Sequence, residues 1–221
     1  DTNKGSEGAF VDAVVDDAAL ERYGAFFDAA RNLVNCSIGE PLLHTRLKEV
    51  LDLLERRGKF LEMSTNGLSL TPRAAGLLAG RKIFLYVSLD AATAATYARI
   101  RNERFDRIVE QLKALAALRK ERGGWPKLHM VFMPMKVNRG DLAEYFRLGR
   151  DLDADYLVLR PLNALVGQTL VADRGGYHFD YQREFLTQEE QREVFLEARR
   201  CSRETGVPLL CNFPDDCGSD I

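Results

Sequence analysis

Apolar positions along the chain recur in two alternating rhythms. Leu20, Tyr23, Phe27 and Ala30 fall on one face at helical spacing, which predicts a helix over 17–32, and the apolar run 33–38 then predicts a strand. Pro41 suits a helix start, because a first turn has no use for the N–H that proline lacks, and this helix is expected to reach about Arg57. The alternation continues with strands over 60–64, 83–89, 128–133, 156–162 and 207–211. Helices are expected over 72–79, 105–122, 141–152 and 188–204, with a further helical stretch from Thr93 to Arg101. Strands separated by helices specify a parallel sheet with right-handed crossovers, either a closed or partial β/α barrel or an open doubly wound sheet. No strand-to-helix turn carries GxGxxG or GxxxxGK(S/T), which favours the barrel. The stretch 162–188 lacks periodicity. Its Gly167, Gly175, Gly176, Tyr177, Phe179 and Tyr181 read either as a structured loop over the barrel mouth or as a plain surface excursion.

Composition adds boundaries to this picture. With 46% hydrophobic and 29% charged residues, the 221-residue chain can fill one α/β domain. Lys plus Arg total 31 against 33 Asp plus Glu, so nothing in the charge calls for nucleic acid or an acidic membrane. A small molecule or a peptide is the expected partner. No apolar run approaches the roughly 18 to 20 residues of a membrane span, and the polar opening is unlike a signal peptide, so a cytoplasmic location is expected. The four cysteines are too scattered for a disulfide framework. Cys36 and Cys201 read as core packing, while Cys211 and Cys217 read as thiols or as the start of a Cys-containing extension.

A barrel does its chemistry at the C-terminal ends of its strands. Here those ends are Gly39-Glu40-Pro41-Leu42-Leu43-His44, Ser64-Thr65-Asn66-Gly67, Ser88-Leu89-Asp90, Pro134-Met135-Lys136-Val137-Asn138 and Arg160-Pro161-Leu162-Asn163. A glycine followed by a carboxylate allows close approach and a charge-assisted contact to an ammonium group. Ser64 with Asn66, and Ser88 with Asp90, suit ribose hydroxyls or the polar edge of an amino acid, and Arg101 can grip a carboxylate in bidentate fashion. A nucleoside carrying an amino acid satisfies every group, although each residue also has a structural reading. His44 reads as a helix-turn residue, His129 as a barrel-interior residue and His178 as a substrate contact. The charged run 113–122 reads as a solvated helix face, and Trp125-Pro126 as a loop marker.

GEPLLH, STNG, VSLDAATAATYARIR and FMPMKVN, in this order over 20–163, resemble the successive signatures of radical S-adenosylmethionine (SAM) enzymes, with SPASM and twitch-type members among the relatives. The resemblance implies an α/β fold, a partial β/α barrel, with SAM and a [4Fe–4S] cluster as cofactors and a reductant as partner. It also implies reductive cleavage of SAM to a 5′-deoxyadenosyl radical that modifies a substrate, a peptide or protein by analogy. By the same resemblance Gly39 and Glu40 hold the SAM amino group, while Ser88 and Arg101 meet the ribose and the methionyl carboxylate. Ser64, Asn66, Asp90 and Asn138 line the pocket, and Met133 or Met135 packs on adenine. The family's CxxxCxxC loop has no counterpart in these residues. The first strand and cluster loop are therefore expected to precede Asp1, with no metal ligand in this chain, and the chain alone is expected to be inactive. Residues 1–210 are then an N-terminally incomplete barrel, and 211–221 begin a C-terminal extension. Two other readings stand beside this one: a cluster-free SAM-binding or scaffold barrel, and an aldolase-like barrel forming an imine on Lys136.

Overall fold

In the computed structural model, which describes residues 22, 24–35, 39–163 and 170–211, six parallel strands form one sheet in chain order. They are β1 (Asn32–Val34), β2 (Phe60–Thr65), β3 (Ile83–Ser88), β4 (Lys127–Phe132), β5 (Tyr156–Leu159) and, after the hairpin strands β6 (Val171–Arg174) and β7 (Tyr177–Asp180), β8 (Leu209–Cys211). The chain divides into two compact units, 1–31 and 32–221. In the first, the described residues form the short helix α1 (Gly24–Ala29). In the second, the helices are α2 (Leu47–Arg56), α3 (Pro72–Leu78), α4 (Ala94–Ile100), α5 (Phe105–Glu121), α6 (Leu142–Asp151) and α7 (Gln188–Thr205). Leu20, Tyr23, Cys36, Gly167, Cys217 and the segment 212–221 lie outside the described residues.

Helix starts follow their caps. Thr71 and Thr93 accept from the backbone N–H groups of Ala74 and Thr96, and Thr187 with Glu190 forms a reciprocal capping box at the start of α7. Successive strand residues point to opposite faces, and one parity carries the core. Met63, Leu85, Met130 and Leu159 meet Leu51 of α2, Leu78 of α3, Leu112 of α5 and Phe146 of α6. Each such side chain contributes about 1.5–3 kcal/mol of burial. The helices therefore cover this outer face, and the other parity forms an inner face.

Three details differ from the sequence reading. β5 ends at Leu159, not Leu162, because Arg160 makes the last ladder bond, donating its N–H to Phe132 O at 3.1 Å, and Pro161 has no N–H to continue. The aperiodic stretch contains the antiparallel hairpin β6–β7, whose turn residues Gly175 (φ 52°) and Gly176 (φ 69°) both lie in the left-handed region. A Cβ on Gly175 would also meet the backbone carbon of Ala98 at 3.0 Å, so the hairpin can lie on α4 only with glycine there. Finally, the charged run on α5 is not uniformly solvated. Arg119 is buried and donates to Asp155 at 2.7 Å, and Asp155 also accepts from Leu128 N and pairs with Lys127.

A second apolar cluster, Ile100, Met135 and Phe179, lies between α4, the loop after β4 and the hairpin. Glu184 latches these parts together. Its buried carboxylate accepts from the Tyr177 hydroxyl at 2.6 Å and from Val137 N at 2.8 Å.

Candidate active site at the strand ends

At the end of β1 the Glu40 carboxylate caps the 3-10 turn Pro41–Leu43. It accepts from Leu42 N (3.3 Å) and, across to the end of β2, from the Thr65 hydroxyl (2.7 Å) and Asn66 N (3.0 Å). A carboxylate has about four lone-pair sites, so Glu40 retains capacity for one more donor. It lines an open depression with Asn66, Ser69, Thr71 and Arg104. Gly39 is exposed, with nothing within 4 Å of its would-be Cβ. Asn66 uses its side-chain oxygen locally, on Leu68 N. His44 also bonds locally, accepting from Arg46 N at 3.2 Å.

Asp90, Arg101 and Asn138, expected to line the ligand pocket, are joined in an interior staple between β3, α4 and the loop after β4. Asp90 is 0% exposed and sits at φ 59°. Its carboxylate accepts from Arg101 Nη2 at 2.5 Å and from Met133 N at 2.8 Å. Asn138, also 0% exposed, donates Nδ2 to Asp90 O and Met133 O and accepts Met135 N at 2.6 Å. Its amide therefore has its bonds within the protein. Burial works against the Arg101 charge, yet the adjoining Asp90 carboxylate holds its pKa above the ordinary value. Arg101 thus gives Nη2 to Asp90, while its Nε is buried without a hydrogen-bond partner. Met135, expected near adenine, is buried under the hairpin, and Met133 is partly exposed.

The inner face presents a different chemistry. Ser64, Tyr86, His129 and Tyr156 are aligned by the strand register, and Glu62, Phe84, Ser88 and Arg160 share their parity. At the N-terminal end Phe60 and Phe84 stack at 5.8 Å over Trp125, so the loop marker of the sequence is the floor of this face. His129 lies edge-on to Tyr86 at 4.6 Å and to Tyr156 at 5.2 Å. The Arg160 guanidinium stands 5.1 Å from the centre of the Tyr86 ring. The side chains of Glu62, Ser64, Tyr86, Ser88 and Arg160 make no hydrogen bond to another described residue, and Arg160 Nε and His129 Nδ1 are buried without a partner. Tyr86 and Glu62 were not singled out from the sequence, and Arg160 was named there only as the start of a strand end. Strand parity was the available signal.

Burial pushes the His129 pKa down; Asp155 opposes this, and Arg119, Arg160 and Lys127 reinforce it. The folded protein then holds His129 neutral where the unfolded chain, near 6.5, already takes a proton. Stability from this group is full above about pH 6.5 and is lost as pH falls toward the folded pKa. Urea midpoints followed from about pH 8 to pH 5 should show a decline below pH 6.5 that His129→Gln flattens. Parallel declines in both proteins would assign the slope to other groups.

Among the described residues no group of three His, Cys, Asp or Glu side chains could hold a metal, so these residues do not fit a [4Fe–4S] cluster. Cys201 is buried, which pushes its thiol pKa up, unlike a ligand thiolate. SAM fits better: Glu40 keeps one acceptor site, and the hydroxyls of Ser64 and Ser88 are uncommitted. Lys136 is exposed and lacks the desolvation that an imine-forming amine uses. His178 is likewise exposed and pairs with Asp173 across the hairpin at 2.8 Å. A cavity of about 110 Å³ by Gly58, Gly80 and Ile83 lies at the N-terminal end of the sheet, away from these groups.

A parallel β/α sheet with uncommitted polar groups at its strand ends is the layout of a barrel-type enzyme that binds its ligand there. The chain belongs to the Radical SAM superfamily, whose sequence model matches residues 10–148. No curated protein matches it in sequence. Among solved structures it is similar to Streptococcus suis SuiB bound to S-adenosylmethionine, with TM-score 0.60 and 14% identity over 83% of this chain and 39% of SuiB. It also resembles TYW1 with a lysine-pyruvate adduct bound, with TM-score 0.54 and 19% identity over 84% of this chain and 59% of that one. A domain of pyruvate-formate lyase-activating enzyme from Bacteroides vulgatus matches over 83% of this chain and 100% of its own, with TM-score 0.58 and 14% identity. These likenesses establish the fold, and the chain spans about two fifths of SuiB. Among the described residues no helix is long and apolar enough to cross a membrane.

Proposed function

We propose that the chain is the SAM-binding part of a cytoplasmic radical SAM enzyme that acts on a peptide or protein. The observation that carries this reading is the inner face, where the side chains of Ser64 and Ser88, at the ends of β2 and β3, make no hydrogen bond to another described residue. Polar groups at the mouth of an otherwise satisfied core call for a ligand. Gly39 and Glu40 would receive the SAM ammonium group at the one acceptor site Glu40 retains, with Asn66 beside it. Ser64 and Ser88 would meet the ribose. Asp90 and Asn138 hold the β4 loop in place, and Arg101 neutralises Asp90. SAM, when bound beside a reduced [4Fe–4S] cluster held by cysteines outside these residues, supplies hydrogen-abstracting radical chemistry. The peptide substrate is supported by SuiB, also solved bound to its precursor peptide SuiA, with TM-score 0.60 over 83% of this chain.

The test uses the protein as its host makes it, reconstituted anaerobically with iron and sulfide. Equilibrium dialysis should show SAM binding, and reduction should release 5′-deoxyadenosine. Ser88→Ala should weaken SAM binding by about 1 kcal/mol, roughly fivefold. SAM binding without 5′-deoxyadenosine at full cluster loading would favour a cluster-free SAM-binding barrel, and no SAM binding would overturn the reading.

A further inference from the structure

Among the partly or fully buried arginines of the second unit, Arg46 pairs with Glu49, Arg81 with Asp52 at 2.6 Å, Arg101 with Asp90 at 2.5 Å and Arg119 with Asp155 at 2.7 Å. Arg160 lies partly buried on the inner face and has no such carboxylate partner. No described carboxylate comes within ion-pair distance of it, and its Nε is buried without a hydrogen-bond partner. The Tyr86 ring holds its guanidinium at 5.1 Å. A guanidinium resting on a ring keeps its N–H donors directed outward in its own plane, the geometry that takes a carboxylate in two parallel bonds.

The surroundings narrow the anion. Burial disfavours a charged His129, Lys127 is engaged by Asp155, and the carboxylate of this face, Glu62 on β2, makes no ion pair with Arg160. Arg160 is thus the one unpaired cation among these residues and matches a single negative charge, whereas a phosphate dianion calls for more positive charge than they offer. Arg160 enters the face from a different side than the SAM groups proposed above. Glu40, Ser64 and Ser88 belong to the ends of β1, β2 and β3, while the Arg160 backbone follows β5, two strands beyond β3, and its guanidinium reaches back to the Tyr86 ring.

We propose that Arg160, shelved on Tyr86, is the carboxylate-binding subsite for the substrate of this enzyme, which therefore carries a carboxylate close to the position that reacts. The inference rests on the reading of the remaining strand ends as the SAM site. Within a peptide the anion is either an acidic side chain or the C-terminal carboxylate. Both present the same two oxygens.

The test is calorimetric titration of the SAM-saturated, cluster-loaded protein with three probes. N-acetylglutamate methylamide carries only a side-chain carboxylate, N-acetylalanine only a C-terminal one, and N-acetylglutamine methylamide neither. One carboxylate probe should bind at least tenfold more tightly than the neutral probe, and the tighter of the two identifies the source. Arg160→Gln should abolish that preference and Arg160→Lys should keep part of it, with SAM affinity within twofold of the parent in both. Equal binding of all three probes, or of none, overturns the proposal. So does a tenfold loss of SAM affinity in a folded Arg160→Lys protein, which would assign Arg160 to SAM. If the parent protein binds no SAM, the radical SAM reading fails separately, and the same titration without SAM still reads the carboxylate preference.

Discussion

Arg101→Ala lowers the unfolding free energy by about 3–5 kcal/mol, the loss expected when one partner of a buried ion pair is removed and the other stays inside unpaired. Asp90 is 0% exposed, and Arg101 is the cation that meets its carboxylate, so truncation leaves a negative charge between β3 and the loop after β4. Urea denaturation of the parent and variant at neutral pH measures the difference. The same experiment weighs the sequence reading against the structure. An Arg101 poised for a ligand carboxylate would lower SAM affinity on truncation and leave stability nearly unchanged.

Asn138→Ala should lose about 3 kcal/mol. One amide serves Asp90 O, Met133 O and Met135 N, and each buried backbone group left without a partner costs about 1–3 kcal/mol. A loss under about 0.5 kcal/mol would mean that those groups find other partners and that Glu184, through Val137 N, is enough to hold the loop. Because Asn138 and Arg101 both secure Asp90, the double variant should lose less than the sum of the two. Full additivity would show two separate anchors instead of one staple.

Much of the sheet was legible because its strands are apolar runs separated by helical stretches, and each of the six strands falls where such a run was read. The hairpin was less so. Val171-Ala172-Asp173-Arg174 and Tyr177-His178-Phe179-Asp180 are short and weakly apolar, yet the Gly175-Gly176 pair between them is a turn signal for two antiparallel strands. At the site, charge beside a strand end looks the same in one dimension whether its partner is a ligand or the protein. Asp90 and Arg101 were therefore read toward ligand, although they meet each other. Arg160 and Tyr86 pose the opposite problem. They lie on different strands, and which face each one takes is settled only once the register of β3, β4 and β5 is known.

The floor beneath the inner face has an optical consequence. Trp125 is the sole tryptophan in the sequence, and it rests against Phe60 and Phe84 at the foot of the same strands that carry Ser64, Ser88 and Tyr86. Indole emission from this chain thus arises at one known place, at the base of the face proposed to take ligand. A change in its intensity or wavelength on adding a small molecule reads that place directly, without an attached dye and without averaging over other fluorophores of its kind.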